Sequence, residues 1–261
     1  MPNRCNVLHP GGGGRFYAVR VLAFLPFVGC SLLLDGDSAT PSDGGPMADA
    51  DDAVDGAMTC PDLLDLSDDF AAFDSSRWSV FDVLEAETSV SEGFLKVALG
   101  PNQSSFAGGG LTSTRSDYSL IGRRLFVRIE QMANIAAPIS VSMILTSAEP
   151  PLATYRIRQL AGFLRFDRTL DGGVQEILAM TNFSLATHRF WQLRVTDNVL
   201  YAEAGPTLSE LTVLGTDAIE SNEKRRGVEN VSVLLLAEST EVVADPGEAQ
   251  FDDLNIGCAG L

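Results

Sequence analysis

From Asp68 onward, apolar and polar residues alternate with a period of two in short segments separated by turn signals. Leu125, Val127 and Ile129 alternate with Phe126, Arg128 and Glu130. Ile139, Val141, Met143 and Leu145 alternate with Ser140 and Ser142, and Trp191, Leu193 and Val195 with Gln192, Arg194 and Thr196. Successive side chains of a strand point to opposite faces, so this pattern predicts antiparallel strands with one face buried and one facing out. Thr196-Asp197-Asn198-Val199 falls between two such runs, and its Asp-Asn pair tolerates positive φ, which predicts a tight hairpin. Val231 to Leu236 is apolar on both faces and reads as a central strand. Helical periodicity is missing apart from a turn or two near Asp217 to Lys224, so the pattern predicts an all-β sandwich or barrel.

The hydrophobic content of 45% suffices for a real core. Against 18 basic residues stand 35 acidic ones, a net charge of −17. Such a surface repels phosphate backbones and anionic headgroups, which excludes nucleic acid as a partner and requires any membrane attachment to be covalent or hydrophobic. After Cys30 the basic residues are arginines except Lys96 and Lys224, a bias that base composition can produce, so arginine abundance alone does not signal an anion site. The cysteines are Cys5, Cys30, Cys60 and Cys258, the histidines His9 and His188, and no grouping has zinc-ligand spacing.

The chain divides into three parts. Residues 1–29 have the layout of a signal peptide: Arg15 and Arg20, then the short apolar run Val21 to Val28, then Gly29 and Cys30. Phe27-Val28-Gly29-Cys30 resembles the lipobox of bacterial lipoproteins, with Phe27 where Leu is usual, and this makes Cys30 the expected lipidation site. Plain signal cleavage and an uncleaved anchor are the alternatives, although Arg20 and Pro26 leave the apolar run short of the ~20 residues a spanning helix needs. All three place the rest of the chain outside the cytoplasm, and the lipobox with Ser31 after it points to a lipid anchor at the cell envelope, sorted to the outer membrane. Residues 30–59 are rich in Asp, Gly, Ala, Ser and Pro and carry no aromatic residue, which predicts a disordered acidic tether. Residues 60–261 form the expected β domain.

Within that domain an ordered series of motifs resembles the concanavalin A-like lectin/glucanase superfamily. Asp68-Asp69-Phe70 with Arg77-Trp78 looks like the opening strand, and Gly93-Phe94-Leu95-Lys96-Val97 like the strand after it. Gly109-Gly110-Leu111 with Arg115 comes next, then His188 to Arg194, and Phe251-Asp252-Asp253-Leu254 as the closing strand. The resemblance runs from about Asp68 to Ile256 and implies a jelly-roll sandwich of two antiparallel sheets. It further implies that the first and last strands meet, which would bring Cys60 and Cys258 together as a disulfide. Two free thiols, or Cys60 paired between chains, are the alternatives.

Superfamily enzymes that cleave β-glucans carry Glu-x-Asp-x-x-Glu on one strand, because hydrolysis with retention needs two carboxyl groups about 5 Å apart. That motif does not occur here. Glu85 with Glu87 and Glu220 with Glu223 read as solvated carboxylates, and His188 as part of a structural motif in which Trp191 fills the core. Trp78 also reads as a core residue rather than a sugar-stacking platform. The sequence therefore predicts no enzyme and no cofactor. It predicts a non-catalytic binding or adhesion module at the envelope, with a glycan or envelope component as partner. A purely structural surface lipoprotein and a degenerate glycoside hydrolase are the alternatives. The ligand-contact set is Arg156, Arg158, Arg165, Gln192 and Arg194, expected on one polar sheet face, where arginine can bond sugar hydroxyls or clamp carboxylates. The competing reading is a solvated face whose arginines balance nearby acids. No metal site is assigned, and calcium at the rim through Asp167, Asp171 or Asp252 has no spacing that fixes a coordination shell.

Overall fold

The structure, a computed structural model, describes residues 66–101, 106–150, 152–171 and 173–258, with the backbone alone for 255–258. The domain is a sandwich of two seven-stranded sheets, antiparallel throughout. In spatial order the first sheet holds β1 (Trp78–Val83), β4 (Ala107–Ser113), β13 (Val231–Ser239), β6 (Ile139–Ser147), β7 (Thr154–Leu160), β8 (Phe163–Thr169) and β9 (Glu176–Asn182). The second holds β12 (Thr212–Ala218), β11 (Val199–Gly205), β10 (Phe190–Thr196), β5 (Arg123–Gln131), β14 (Gly247–Cys258), β3 (Phe94–Leu99) and β2 (Ala86–Ser91). The helical turn expected near Lys224 is α1 (Asn222–Arg226), capped by the Ser221 hydroxyl accepting from Lys224 N.

The alternation sets the core. Leu125, Val127 and Ile129 of β5, Val141, Met143 and Leu145 of β6, and Leu193 and Val195 of β10 all point between the sheets, as do both tryptophans. The indole of Trp78 donates from Nε1 to Asp68 Oδ2 (2.7 Å), and that of Trp191 to the His188 carbonyl (2.9 Å), so each buried N–H is satisfied. The Asp197-Asn198 turn joins β10 to β11 with φ of 52° and 57°, the type I′ geometry that suits the twist of paired strands. Glu92-Gly93 and Ala161-Gly162 make turns with the same pair of positive φ values. At Gly110 a side chain is excluded by close approach: a Cβ there would lie 2.0 Å from the Leu235 carbonyl oxygen of β13.

The two ends of the domain meet as the resemblance implied. Asp68 and Leu254 exchange backbone hydrogen bonds (2.8 and 3.0 Å), and Asp68 Oδ1 accepts from Phe70 N (2.7 Å). Cys30, Cys60, the signal segment, the acidic tether and the side chain of Cys258 lie outside the described residues.

At one edge the sheets are pinned by a buried carboxylate. Asp217 of β12 accepts from Tyr155 Oη of β7 (2.8 Å) and Arg168 Nη1 of β8 (2.6 Å) on Oδ2, and from Lys224 Nζ of α1 (2.8 Å) on Oδ1. Burial alone would raise the Asp217 pKa, but the bonds from Lys224, Arg168 and Tyr155 hold it below the ordinary carboxylate value. Asp217→Ala is expected to cost about 3 kcal/mol in urea melts, because it strands Arg168 and Lys224 without their shared counter-ion. A group depressed in the folded state contributes stability above its unfolded pKa of about 3.9, lost as pH falls through the folded value. Asp217→Asn should therefore remove part of the acid limb of the stability profile; superimposable acid limbs would contradict this role.

Candidate functional site

The outer face of the first sheet collects side chains from strands far apart in sequence. On β7, Tyr155 and Ile157 enter the core, so Arg156 and Arg158 face out. Arg165 and Asp167 do the same on β8, where Leu164 and Phe166 are buried. On β13 the core takes Leu235 and Ala237, which turns Glu238 outward. Strand register sets these residues side by side: Gly108, Glu238, Ser140 and Leu160 form one row, Gly110, Leu236, Ser142, Arg158 and Arg165 the next, and Ile144, Arg156 and Asp167 a third.

Glu238 and Asp167 approach β7 from opposite sides. Asp167, 1% exposed, forms an ion pair with Arg158 (Nε to Oδ2, 2.5 Å) and accepts from Gln175 Nε2 (2.6 Å) on Oδ2, while its Oδ1 is buried without a hydrogen-bond partner among the described residues. Arg156 Nη1 lies 4.0 Å from Glu238 Oε1. Burial raises the Glu238 pKa above the usual carboxylate value, against the pull of Arg156 and Arg158. Burial, together with the like charge of Arg158, lowers the pKa of Arg156. Beside Glu238 the face is kept clear by glycine, since a Cβ at Gly108 would lie 3.1 Å from Glu238 Cβ and 3.3 Å from the Phe106 ring. Ser140 and Ser142, with hydroxyls 2.9 Å apart, floor the space between β13 and β7. The result is a carboxyl group whose pKa is raised by burial, set across two guanidinium groups from a second, more deeply buried carboxyl group.

The structure brings together only part of the contact set read from the sequence. Arg156, Arg158 and Arg165 share the outer face of the first sheet. Gln192 and Arg194 belong to β10 in the second sheet, whose outer face points the other way. There Glu203 accepts from Gln192 Nε2 (2.5 Å) and Arg194 Nη2 (2.9 Å), and the Arg194 guanidinium lies 4.0 Å above the Tyr201 ring centroid. That grouping is neutralised within itself. Glu238 was not singled out by the sequence, and Asp167 only as a rim ligand for calcium. Asp167 is engaged by Arg158 and Asp252 by Arg128, and among the described residues no group of three or more His, Cys, Asp or Glu is placed to hold a metal. His188 accepts from Ser184 N (3.2 Å) on Nδ1 and stacks on Phe183, with its pKa lowered by burial, which suits a structural role. Two depressions lie elsewhere: one of about 540 Å³ bordered by Asp68, Asp69, Arg77 and Phe126, the other of about 420 Å³ bordered by Asp117, Glu149, Arg226 and Glu229.

The domain is a concanavalin A-like jelly roll. Solved structures that share the fold include an endo-acting O-glycanase from human gut bacteria, described as initiating mucin breakdown, with a TM-score of 0.57 and 14% identity over 75% of this chain and 99% of that one. A pseudo beta-1,3-glucanase and immunostimulatory antigen of Mycobacterium tuberculosis matches with a TM-score of 0.54 and 15% identity over 76% and 99%. A glycoside hydrolase family 16 endo-glucanase from Bacteroides ovatus matches with a TM-score of 0.55 and 12% identity over 73% and 99%. No family model and no curated protein matches the chain. These neighbours correct the expectation of a non-catalytic binding or adhesion module and of no enzyme. That expectation rested on a missing local motif, whereas the solved structures that share the fold include an O-glycanase and an endo-glucanase.

The Arg158–Asp167 pair gives this face a measurable signature. Removing one partner leaves a buried, uncompensated charge, so Asp167→Leu or Arg158→Met alone is expected to lose roughly 3–5 kcal/mol in urea melts, and the double variant to recover most of it. Additive losses would show that the two side chains do not depend on each other.

Proposed function

We propose that the domain is a glycoside hydrolase degenerate in the Glu-x-Asp-x-x-Glu motif, one that cleaves a glycan laid across the outer face of the first sheet. The observation that carries this reading is the raised pKa of Glu238, a partly exposed carboxyl group on the open face of a glycosidase-type fold. Glu238 protonates the glycosidic oxygen. The water that attacks the anomeric carbon gives up its proton to solvent, because Asp167 is 1% exposed and paired with Arg158 within the sheet face, out of a water's reach.

Glu238 and Asp167 are set apart by β6 and β7 and by two rows along the strands, so they do not form the closely spaced carboxyl pair of a retaining enzyme. The solved neighbours support a glycan as substrate, since an O-glycanase and β-glucanases share the fold. A lipid at Cys30 would hold the enzyme at the cell envelope through the acidic segment 30–59; mass spectrometry of the mature N-terminus checks this, and a chain starting anywhere but an acylated Cys30 would remove the anchor.

The direct test is release of reducing ends from laminarin, mixed-linkage β-glucan and mucin O-glycans, with the anomer of the first product read by NMR. Glu238→Gln should lower kcat by about 10²- to 10⁴-fold with little change in KM. Because the acid form of Glu238 persists above the usual carboxylate range, activity should be full at acid pH and decline as pH rises through the raised pKa. No turnover of any of these glycans, or turnover that Glu238→Gln leaves intact, would refute the reading.

A further inference from the structure

We infer that the glycan accepted by this face carries anionic groups, carboxylate or sulfate ester, and that Arg165 is the residue that reads them; the inference takes the place of the site from the glycosidase reading. Arg165 stands where a like charge faces it. Arg158 and Arg165 stand directly opposite each other on β7 and β8. Side chains in such pairs have Cβ atoms about 4.5–5.5 Å apart, and like charges there destabilise the strand pairing.

Arg158 has its counter-ion in Asp167, and Arg156 has Glu238 within 4.0 Å. Arg165 has no carboxylate partner among the described residues: its other cross-strand neighbour is Met180, and its guanidinium lies 5.9 Å from the Phe163 ring centroid. The second sheet shows what this chain does with arginines that need only neutralising. Arg194 is matched by Glu203, Arg128 by Asp252 and Glu130, and Arg189 by Glu130. In a chain with 35 acidic residues, counter-ions are not scarce.

Of the three guanidinium groups, Arg158 pairs with Asp167 and Arg156 lies 4.0 Å from Glu238, which leaves Arg165 as the one with no carboxylate partner among the described residues. A planar guanidinium backed by an aromatic ring pairs bidentately with a carboxylate or a sulfate oxygen pair. An anionic group arriving on the glycan would cancel the Arg158–Arg165 repulsion at the same time. The net charge of −17 works against loose attraction of polyanions, so binding of such a glycan must come from local contacts.

The test uses the full chain and measures calorimetric affinity for four probes: a polyuronate, its carboxyl-reduced form, a sulfated galactan and its desulfated form. One charged glycan should bind at least about tenfold tighter than its neutralised counterpart. The carboxylate and sulfate arms decide which group is recognised. Arg165→Gln should abolish that preference, Arg165→Lys should restore it in part, and Arg165→Gln should raise the melting temperature of the free protein by relieving the like-charge pair. Equal affinity for charged and neutralised glycans, or a preference that survives Arg165→Gln, would overturn the inference. The glycosidase reading is judged separately by Glu238→Gln on cleavage, so an Arg165-dependent preference without turnover would refute only that reading, and turnover of neutral glycans alone would refute only this one.

Discussion

Two stacked antiparallel sheets impose one rule on every strand: one set of alternate side chains is shared with the opposing sheet, and the other is left to the surface. The polar face of the first sheet is a product of that rule. Once Tyr155, Ile157, Leu164, Phe166, Leu235 and Ala237 are committed to the core, Arg156, Arg158, Arg165, Asp167 and Glu238 have no other place to go. Every strand here is held antiparallel to its neighbours, so the rows that bring β13, β6, β7 and β8 together are fixed by register. A slip of one residue would send the arginines into the core and the aromatics into water.

That partly shielded surface changes the chemistry of what it carries. Close to an apolar core, a carboxyl group loses hydration on one side, and Glu238 responds by holding its proton more tightly. Asp167 is deeper and is met by the Arg158 guanidinium as an ion pair and by the Gln175 amide as a donor. Gly108 of β4 completes the arrangement by leaving space next to Glu238 where a larger residue would crowd it.

The fold was legible in the sequence because alternation within a strand is a local property. The β5, β6 and β10 patterns, the Asp197-Asn198 hairpin and the central position of β13 could all be read residue by residue. The site was only half legible, for a related reason. Alternation tells which side of its own strand a residue occupies and not which sheet the strand joins, so Arg156, Arg158 and Arg165 were grouped with Gln192 and Arg194, which the topology sends to the opposite surface. Glu238 escaped notice because β13 runs on to Ser239, past the apolar stretch that ends at Leu236, and its neighbours Gly108 and Ser140 are far away in the chain.

Where a glycan lies on the molecule decides whether Glu238 can act on it. A crystal structure of the Glu238→Gln variant with a bound oligosaccharide tests this most directly, because the variant retains the face while slowing cleavage. The sugar is predicted to cross β13, β6 and β7, with a glycosidic oxygen within hydrogen-bond distance of residue 238 and the chain passing Arg158 toward Arg165. A sugar seated instead on the second sheet around Gln192 and Arg194, or in the depression beside Asp69 and Phe126, would contradict it.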